Sequence, residues 1–218
     1  MPALLLILLL GSVAGMVWLT VLGSTESQGS DCPSPPPVAG APPSGEVLDR
    51  TALDEVPPAP PQLARLQVLN GNGHRGEASI VSAGLTDLGF RSAAEPANDP
   101  LHPTFELTCQ GQIRFGAGGV PAARTLSLVV PCAELVRDLR PDDVVDLALG
   151  TDFTGLEPTA EARSVLTSLV RLGQPAPPSE APQGGQAVQG GQAAAEVQPT
   201  IDPQQIVAAR DVDCESGP

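Results

Sequence analysis

The sequence predicts an α/β domain: a small mixed sheet of two β-α-β units plus a final strand, flanked by two helices and a C-terminal helix. Three observations carry this expectation. Residues 65–90 read as strand, glycine loop, helix and the start of a second strand. Residues 112–137 repeat the pattern, and a strand-like run at 144–149 precedes an amphipathic stripe from Pro158 to Leu172. Strands alternating with helices imply an α/β sheet, which is mixed if the two halves join by a reversal.

Residues 3–22 carry no charge. Twenty apolar-dominated residues at about 1.5 Å each span a hydrocarbon core of about 30 Å, so the run predicts a membrane anchor within residues 1–23. A cleaved signal peptide is the alternative, because Val21-Leu22-Gly23 resembles a small-residue cleavage site. Either way the main chain lies outside the membrane. Asp31 beside Cys32 does not fit a lipidation box.

Residues 24–61 read as a linker, with ten prolines between Pro33 and Pro61. Such a segment favours extended polyproline geometry at about 3.1 Å per residue, a spacer on the order of 100 Å.

The expected globular part is 62–172. Leu66, Val68 and Leu69 have the character of a buried strand entering a turn at Asn70-Gly71. Ala78, Val81, Leu85 and Leu88 then recur at spacings of three and four, one helical stripe. Gly89 supplies the left-handed residue that closes a helix, and Phe90 re-enters the core. Arg91 to Glu95 would continue the second strand, with a loop at Ala97-Asn98-Asp99-Pro100. In the second unit, Gln112-Ile113-Arg114-Phe115 is a strand and Gly116-Ala117-Gly118-Gly119 a glycine loop. Pro121 sits where a first helical turn tolerates proline, and Ala122, Leu126, Val129 and Val130 form the stripe that Pro131 ends. Short strands follow at 134–137 and 144–149, then the last helix. Residues 173–218 read as a low-complexity acidic tail, with QGGQA at 183–187 and 189–193, regaining a short helix within 201–212.

The net charge of −14 sits mostly in the flanks. The domain has nine arginines against thirteen acids, whereas linker and tail each have one against six. This excludes nucleic acid, whose binding depends on basic surface, and adhesion to an anionic membrane surface. There is no lysine and no tyrosine, which removes two kinds of catalytic base and nucleophile. No serine sits in a G-x-S-x-G elbow. Asp142-Asp143 reads as a polar turn, and Asp146 on a sheet edge would be solvated.

Four cysteines in an exported chain read as two disulfides, with three possible connectivities. Cys109 precedes the third strand and Cys132 follows the second helix, so they are expected to bridge one β-α unit, leaving Cys32 with Cys214 by elimination. The spacings offer no metal site, and His74 and His102 stand alone, as solvated loop histidines usually do.

The loop Gly71-x-Gly73-x-x-Gly76, with Glu95 nineteen residues on, formally matches a dinucleotide-binding fingerprint. The domain is too short for two mononucleotide-binding halves, so no cofactor is expected, and a nucleotide-using or wall-modifying enzyme stays as the alternative reading. The binding hypothesis on the residues themselves is an anion or polymer site at a helix start, formed by Asn70, Gly71, Gly73, His74, Arg75 and Gly76, with Arg114 facing the same sheet edge. No catalytic residue is assigned.

Val68-Leu69-Asn70-Gly71-x-Gly73, Gly76-x-Ala78, Leu85 through Gly89-Phe90, Ile113-Arg114-Phe115-Gly116 and Leu149-Gly150-x-Asp152-Phe153 together resemble the LytR C-terminal domain, over about residues 64–153. The resemblance implies an extracytoplasmic role in the cell envelope without catalysis. That domain commonly follows one that transfers wall polymers; without it, a tethered binding module is expected. Its partners would be a wall polymer, a lipid-linked precursor or an envelope protein, with the membrane engaged through the N-terminal helix.

Overall fold

The computed structural model describes residues 32–35, 40, 43–174 and 201–214. The expected anchor and most of the low-complexity tail lie outside the described residues. Among the described residues, no helix is long and apolar enough to cross a membrane.

The elements are β1 (Glu46–Leu48), β2 (Arg65–Asn70), α1 (Glu77–Asp87), β3 (Arg91–Ser92), β4 (Ala97–Asn98), β5 (Gly111–Phe115), α2 (Val120–Leu126), β6 (Glu134–Arg137), β7 (Val144–Leu149), α3 (Ala160–Leu172) and α4 (Pro203–Ala208). The sheet runs β1-β6-β5-β7-β2-β3, with β4 also on β2. β2 is parallel to β7, β3 and β4, and β5 is parallel to β6. The two parallel units meet where β5 pairs antiparallel with β7, so the sheet is mixed, as expected.

Alternation along the strands sorts the sheet into two unlike faces. Leu66, Val68, Ile113, Phe115, Leu135, Val145, Leu147 and Leu149 point to one face and form the core with Ala78, Val81 and Leu85 of α1 and Ala122 and Leu126 of α2. The opposite face carries Gln112, Arg114 and Asp146, beside a small cluster of Leu69, Leu107, Cys109 and Ala148. Gly89 closes α1 at φ 95°, and the Phe90 N–H donates back to Leu85 O at 3.0 Å. Thr159 caps α3, its hydroxyl accepting from the Ala162 N–H at 3.1 Å.

Several expectations are corrected. The second strand does not continue to Glu95; it is interrupted, and Ala97-Asn98, expected in a loop, resumes it as β4. Pro96 lies in the gap and has no N–H to give the ladder. α2 stops at Leu126, and tighter i→i+3 turns follow at Leu128 and Val129, for example Val129 N–H to Leu126 O at 2.9 Å. The full stripe still points inward.

The expected spacer is not one in its described part. β1 adds an antiparallel strand to β6, Leu53 is fully buried in the core, and Cys32 is bonded to Cys109. A sheet edge and a core gap take up this segment, so its apolar residues gain burial that an extended proline spacer would forgo. The end of the tail also docks: Ile201, Ile206 and Ala209 pack on Ala162, Val165 and Leu169 of α3.

The disulfides pair Cys32 with Cys109 and Cys132 with Cys214, not Cys109 with Cys132. β5 and β6 are parallel, so Cys109 and Cys132 do precede neighbouring strands at one end of the sheet. Cys109, however, packs with Leu69 and Ala148 on the face without helices, whereas Cys132 lies beside Leu147 and Val129 on the helical side. The sheet separates them.

Candidate functional site

The glycine loop after β2 is built on two asparagines. Asn70 Oδ1 accepts from the N–H groups of Asn72 at 3.2 Å and Gly73 at 2.8 Å, and its amide nitrogen donates to His74 O at 3.2 Å. Asn72 Oδ1 accepts from the His74 N–H at 2.9 Å. The Asn72 amide nitrogen donates to Glu77 Oε2 at 2.6 Å and to Gly150 O at 2.9 Å. Three backbone donors of the loop are therefore spent within it. Gly73 and Gly76 have φ of 79° and 81°, which side chains rarely adopt. Gly71 lies against β7, donating to Leu149 O at 3.1 Å, and a Cβ there would stand 2.9 Å from that oxygen. Glu77 puts a carboxylate on the first turn of α1, where an anion would otherwise be favoured. His74 and Arg75 project outward, His74 within 3.5 Å of Glu77.

Arg114 does not reach that loop directly. It is buried, and forms a bidentate pair with Asp99 at 2.7 Å for each bond. Gln112 Oε1 accepts from Arg114 Nε at 2.9 Å and Nη2 at 2.7 Å, and Gln112 Nε2 donates to Glu134 Oε2 at 2.7 Å. The Asp99 N–H donates to Asn70 O at 2.9 Å, so the pair is anchored under the base of the loop. Beside it, Arg140 bridges Asp138 at 2.6 Å and Asp146 at 2.7 Å. Burial alone would lower the Arg140 pKa, but hydrogen bonds and charge from the two carboxylates raise it. Asp146 is thus not a solvated edge residue, because β7 lies between β5 and β2.

His102 also departs from expectation. It is fully buried, its Nδ1 lies 3.6 Å from Glu106 Oε1, just beyond hydrogen-bond range, and desolvation lowers its pKa against the opposing charges of Asp99 and Glu106. Among the described residues, no group of three His, Cys, Asp or Glu is disposed to hold a metal ion.

A second location was not legible in the sequence. A cavity of about 200 Å³ lies between the turn after α2 (Val129, Val130), Leu147 of β7, Phe153 and the C-terminal segment at Val212 and Cys214. Two anchors hold that segment, the Cys132–Cys214 disulfide and an arginine cluster. Arg210 and Arg124 both donate to Asp54 Oδ1, at 2.8 and 3.0 Å, and Arg50 donates to Arg210 O at 2.8 Å. Burial, then the charge of Arg124, lowers the Arg210 pKa.

Comparison with known proteins agrees with this architecture. The family described as LytR cell envelope-related transcriptional attenuator matches residues 64–153, from the residue before β2 to Phe153 at the cavity. The cell envelope integrity protein Cei of Mycobacterium tuberculosis (strain ATCC 25618 / H37Rv) is 41% identical over 174 residues, which cover 77% of this chain and 79% of that protein. A crystal structure of the soluble domain of a conserved hypothetical secreted protein from Mycobacterium marinum superposes with a TM-score of 0.60 at 37% identity, covering 76% of this chain and 95% of that one. With its glycine loop, its two parallel units and the seam between them all inside the matched stretch, the chain belongs to the LytR C-terminal domain family.

Proposed function

We propose that this chain is a non-catalytic, extracytoplasmic module that maintains the integrity of the cell envelope, held at the membrane through residues 3–22. In this reading it engages a wall polymer, a lipid-linked intermediate or an envelope protein. The observation that carries the proposal is the 41% identity to a cell envelope integrity protein across most of both chains. In this reading the buried polar groups of the sheet serve the fold: Arg114 is bonded to Asp99 and Gln112, and Arg140 to Asp138 and Asp146. Catalysis by a side chain needs a group poised toward substrate. The glycine loop likewise spends three of its backbone donors, those of Asn72, Gly73 and His74, on the Asn70 and Asn72 side chains.

The test is a deletion strain of the source organism, read by uptake of a normally excluded dye. Dye entry should rise on deletion and return to normal with the full chain. A deletion strain that excludes dye as well as its parent overturns the proposal. Capture of the exposed domain's partners from envelope extract, with lipids and polymers analysed beside proteins, then separates the three partner classes.

A further inference from the structure

Residues 201–214 return to the domain as a strap, and the contacts that hold it are unequal. Ile201, Ile206 and Ala209 pack on Leu128 and on Ala162, Val165 and Leu169 of α3; of the three, Ala209 alone is fully buried. α4 has six residues, well under the roughly 12–15 that an isolated helix needs in water, so it forms only while docked.

The charged contacts add little. Asp54 Oδ1 accepts from both Arg124 and Arg210, so one partly exposed carboxylate serves two guanidinium groups. Arg124 Nε and Arg210 Nε and Nη2 are buried without a hydrogen-bond partner. Burial, then the like charges of Arg124 and Arg50, work against the Arg210 cation. A buried ion pair gains little net stability once both charges are desolvated. Arg50 adds bonds to the Arg210 and Val212 carbonyls at 2.8 and 3.3 Å, each a modest net gain.

The Cys132–Cys214 bond is therefore the strongest tie, and it is open to attack. Both cysteines are half-buried and line the cavity of about 200 Å³. Cys109 of the other disulfide is 1% exposed, among Leu69, Leu107 and Ala148. Thiol–disulfide exchange depends on access to the sulfur. The sheet needs nothing from the strap, since all of its strands lie between Glu46 and Leu149.

We propose that Cys132–Cys214 is a redox latch on this strap, opened by a dithiol reductant while the rest of the domain stays folded. One thiolate of the reductant attacks one sulfur of the pair, and the other cysteine leaves as a thiolate and takes a proton. The reductant's second thiol then closes its own disulfide and frees the first cysteine as a thiol. Two electrons and two protons pass to the protein. Release uncovers the Leu128, Ala162, Val165 and Leu169 face and removes the cavity wall at Val212.

The full chain in phosphatidylcholine nanodiscs is exposed to graded dithiothreitol, with free thiols alkylated and mapped by mass spectrometry and hydrogen exchange read in parallel. Cys132 and Cys214 should be alkylated at least tenfold faster than Cys32 and Cys109. Exchange within 201–212 should rise at least tenfold at the same reductant concentration, with β2 and β7 unchanged. The double variant Cys132→Ser with Cys214→Ser should show the raised exchange without reductant. Equal alkylation rates at the two disulfides overturn the proposal. So does a strap as protected in the serine variant as in the parent, or loss of protection in β2 and β7 together with the strap. None of these readouts uses dye entry, so this proposal and the envelope reading stand or fall separately.

Discussion

Cys132 and Cys214 are joined across 82 residues of sequence, with their Cα atoms 5.4 Å apart. The bond makes the far C-terminal segment a wall of the domain. Cys32–Cys109 does the same for the N-terminal arm over 77 residues, and the two closed loops do not overlap along the chain.

On the chain-entropy account, a loop of this length restricts the unfolded chain by about 4.5 kcal/mol. The double variant Cys132→Ser with Cys214→Ser should lose about 2–5 kcal/mol in denaturant unfolding. It should also become cleavable by protease within 201–212. Mass mapping of the unreduced protein should yield linked peptides containing Cys32 with Cys109 and Cys132 with Cys214; a peptide linking Cys109 to Cys132 would contradict the structure.

Arg114 and Asp99 are both buried, and each is the other's bidentate partner. Truncating either to alanine leaves the other charge buried and unpaired, at a cost of about 3–5 kcal/mol. Removing both should cost less than the sum of the single changes, with a coupling on the order of 1–3 kcal/mol. Additive losses in a double-mutant cycle would mean that the pair does not act as a unit.

The glycine loop distinguishes structural from surface residues within a few positions. Asn72 is buried and makes three hydrogen bonds, so Asn72→Ala should destabilise by about 1–3 kcal/mol. Arg75 is exposed, and Arg75→Ala should change stability by no more than about 0.5 kcal/mol. Full restoration of dye exclusion by Arg75→Ala in the deletion strain would assign the loop to folding and remove it from ligand binding.

His102 predicts a pH dependence of stability. Its folded pKa lies below its ordinary value near 6.5 because burial disfavours the imidazolium, with Asp99 and Glu106 opposing and Arg114 reinforcing. As pH falls below about 6.5 the unfolded chain takes up the proton first, so stability is lost through the window down to the folded pKa. Above about 6.5 the His102 contribution is complete. His102→Leu should flatten that part of the profile in denaturant titrations at stepped pH. An unchanged slope would assign the dependence to other groups.

Much of the core was readable from periodicity. Ala78, Val81 and Leu85 fall on one helical face, and Ile113, Phe115, Leu147 and Leu149 on one sheet face, because side-chain direction follows directly from 3.6- and 2-residue repeats. Gly89 was readable for the same local reason, since a left-handed residue is needed where the helix stops. Asn70 through Gly76 could be recognised as a turn, but not that Asn70 and Asn72 would take three of its backbone donors, because that depends on side-chain direction.

Other features were decided only when distant segments met. Composition marks residues 24–61 as a spacer, yet β6 offers an edge that Glu46 to Leu48 can pair with, and the core accepts Leu53. Strand order placed β7 between β5 and β2, which turned Asp146 from an edge carboxylate into a partner of Arg140. Which cysteine pairs with which depended on the face of the sheet each occupies, a property that no spacing along the chain encodes. Local repeats determine which residues point inward, whereas long-range pairing determines what they point at. The fold class was therefore legible in the sequence, while the cavity between Val129 and Val212 existed only in the folded protein.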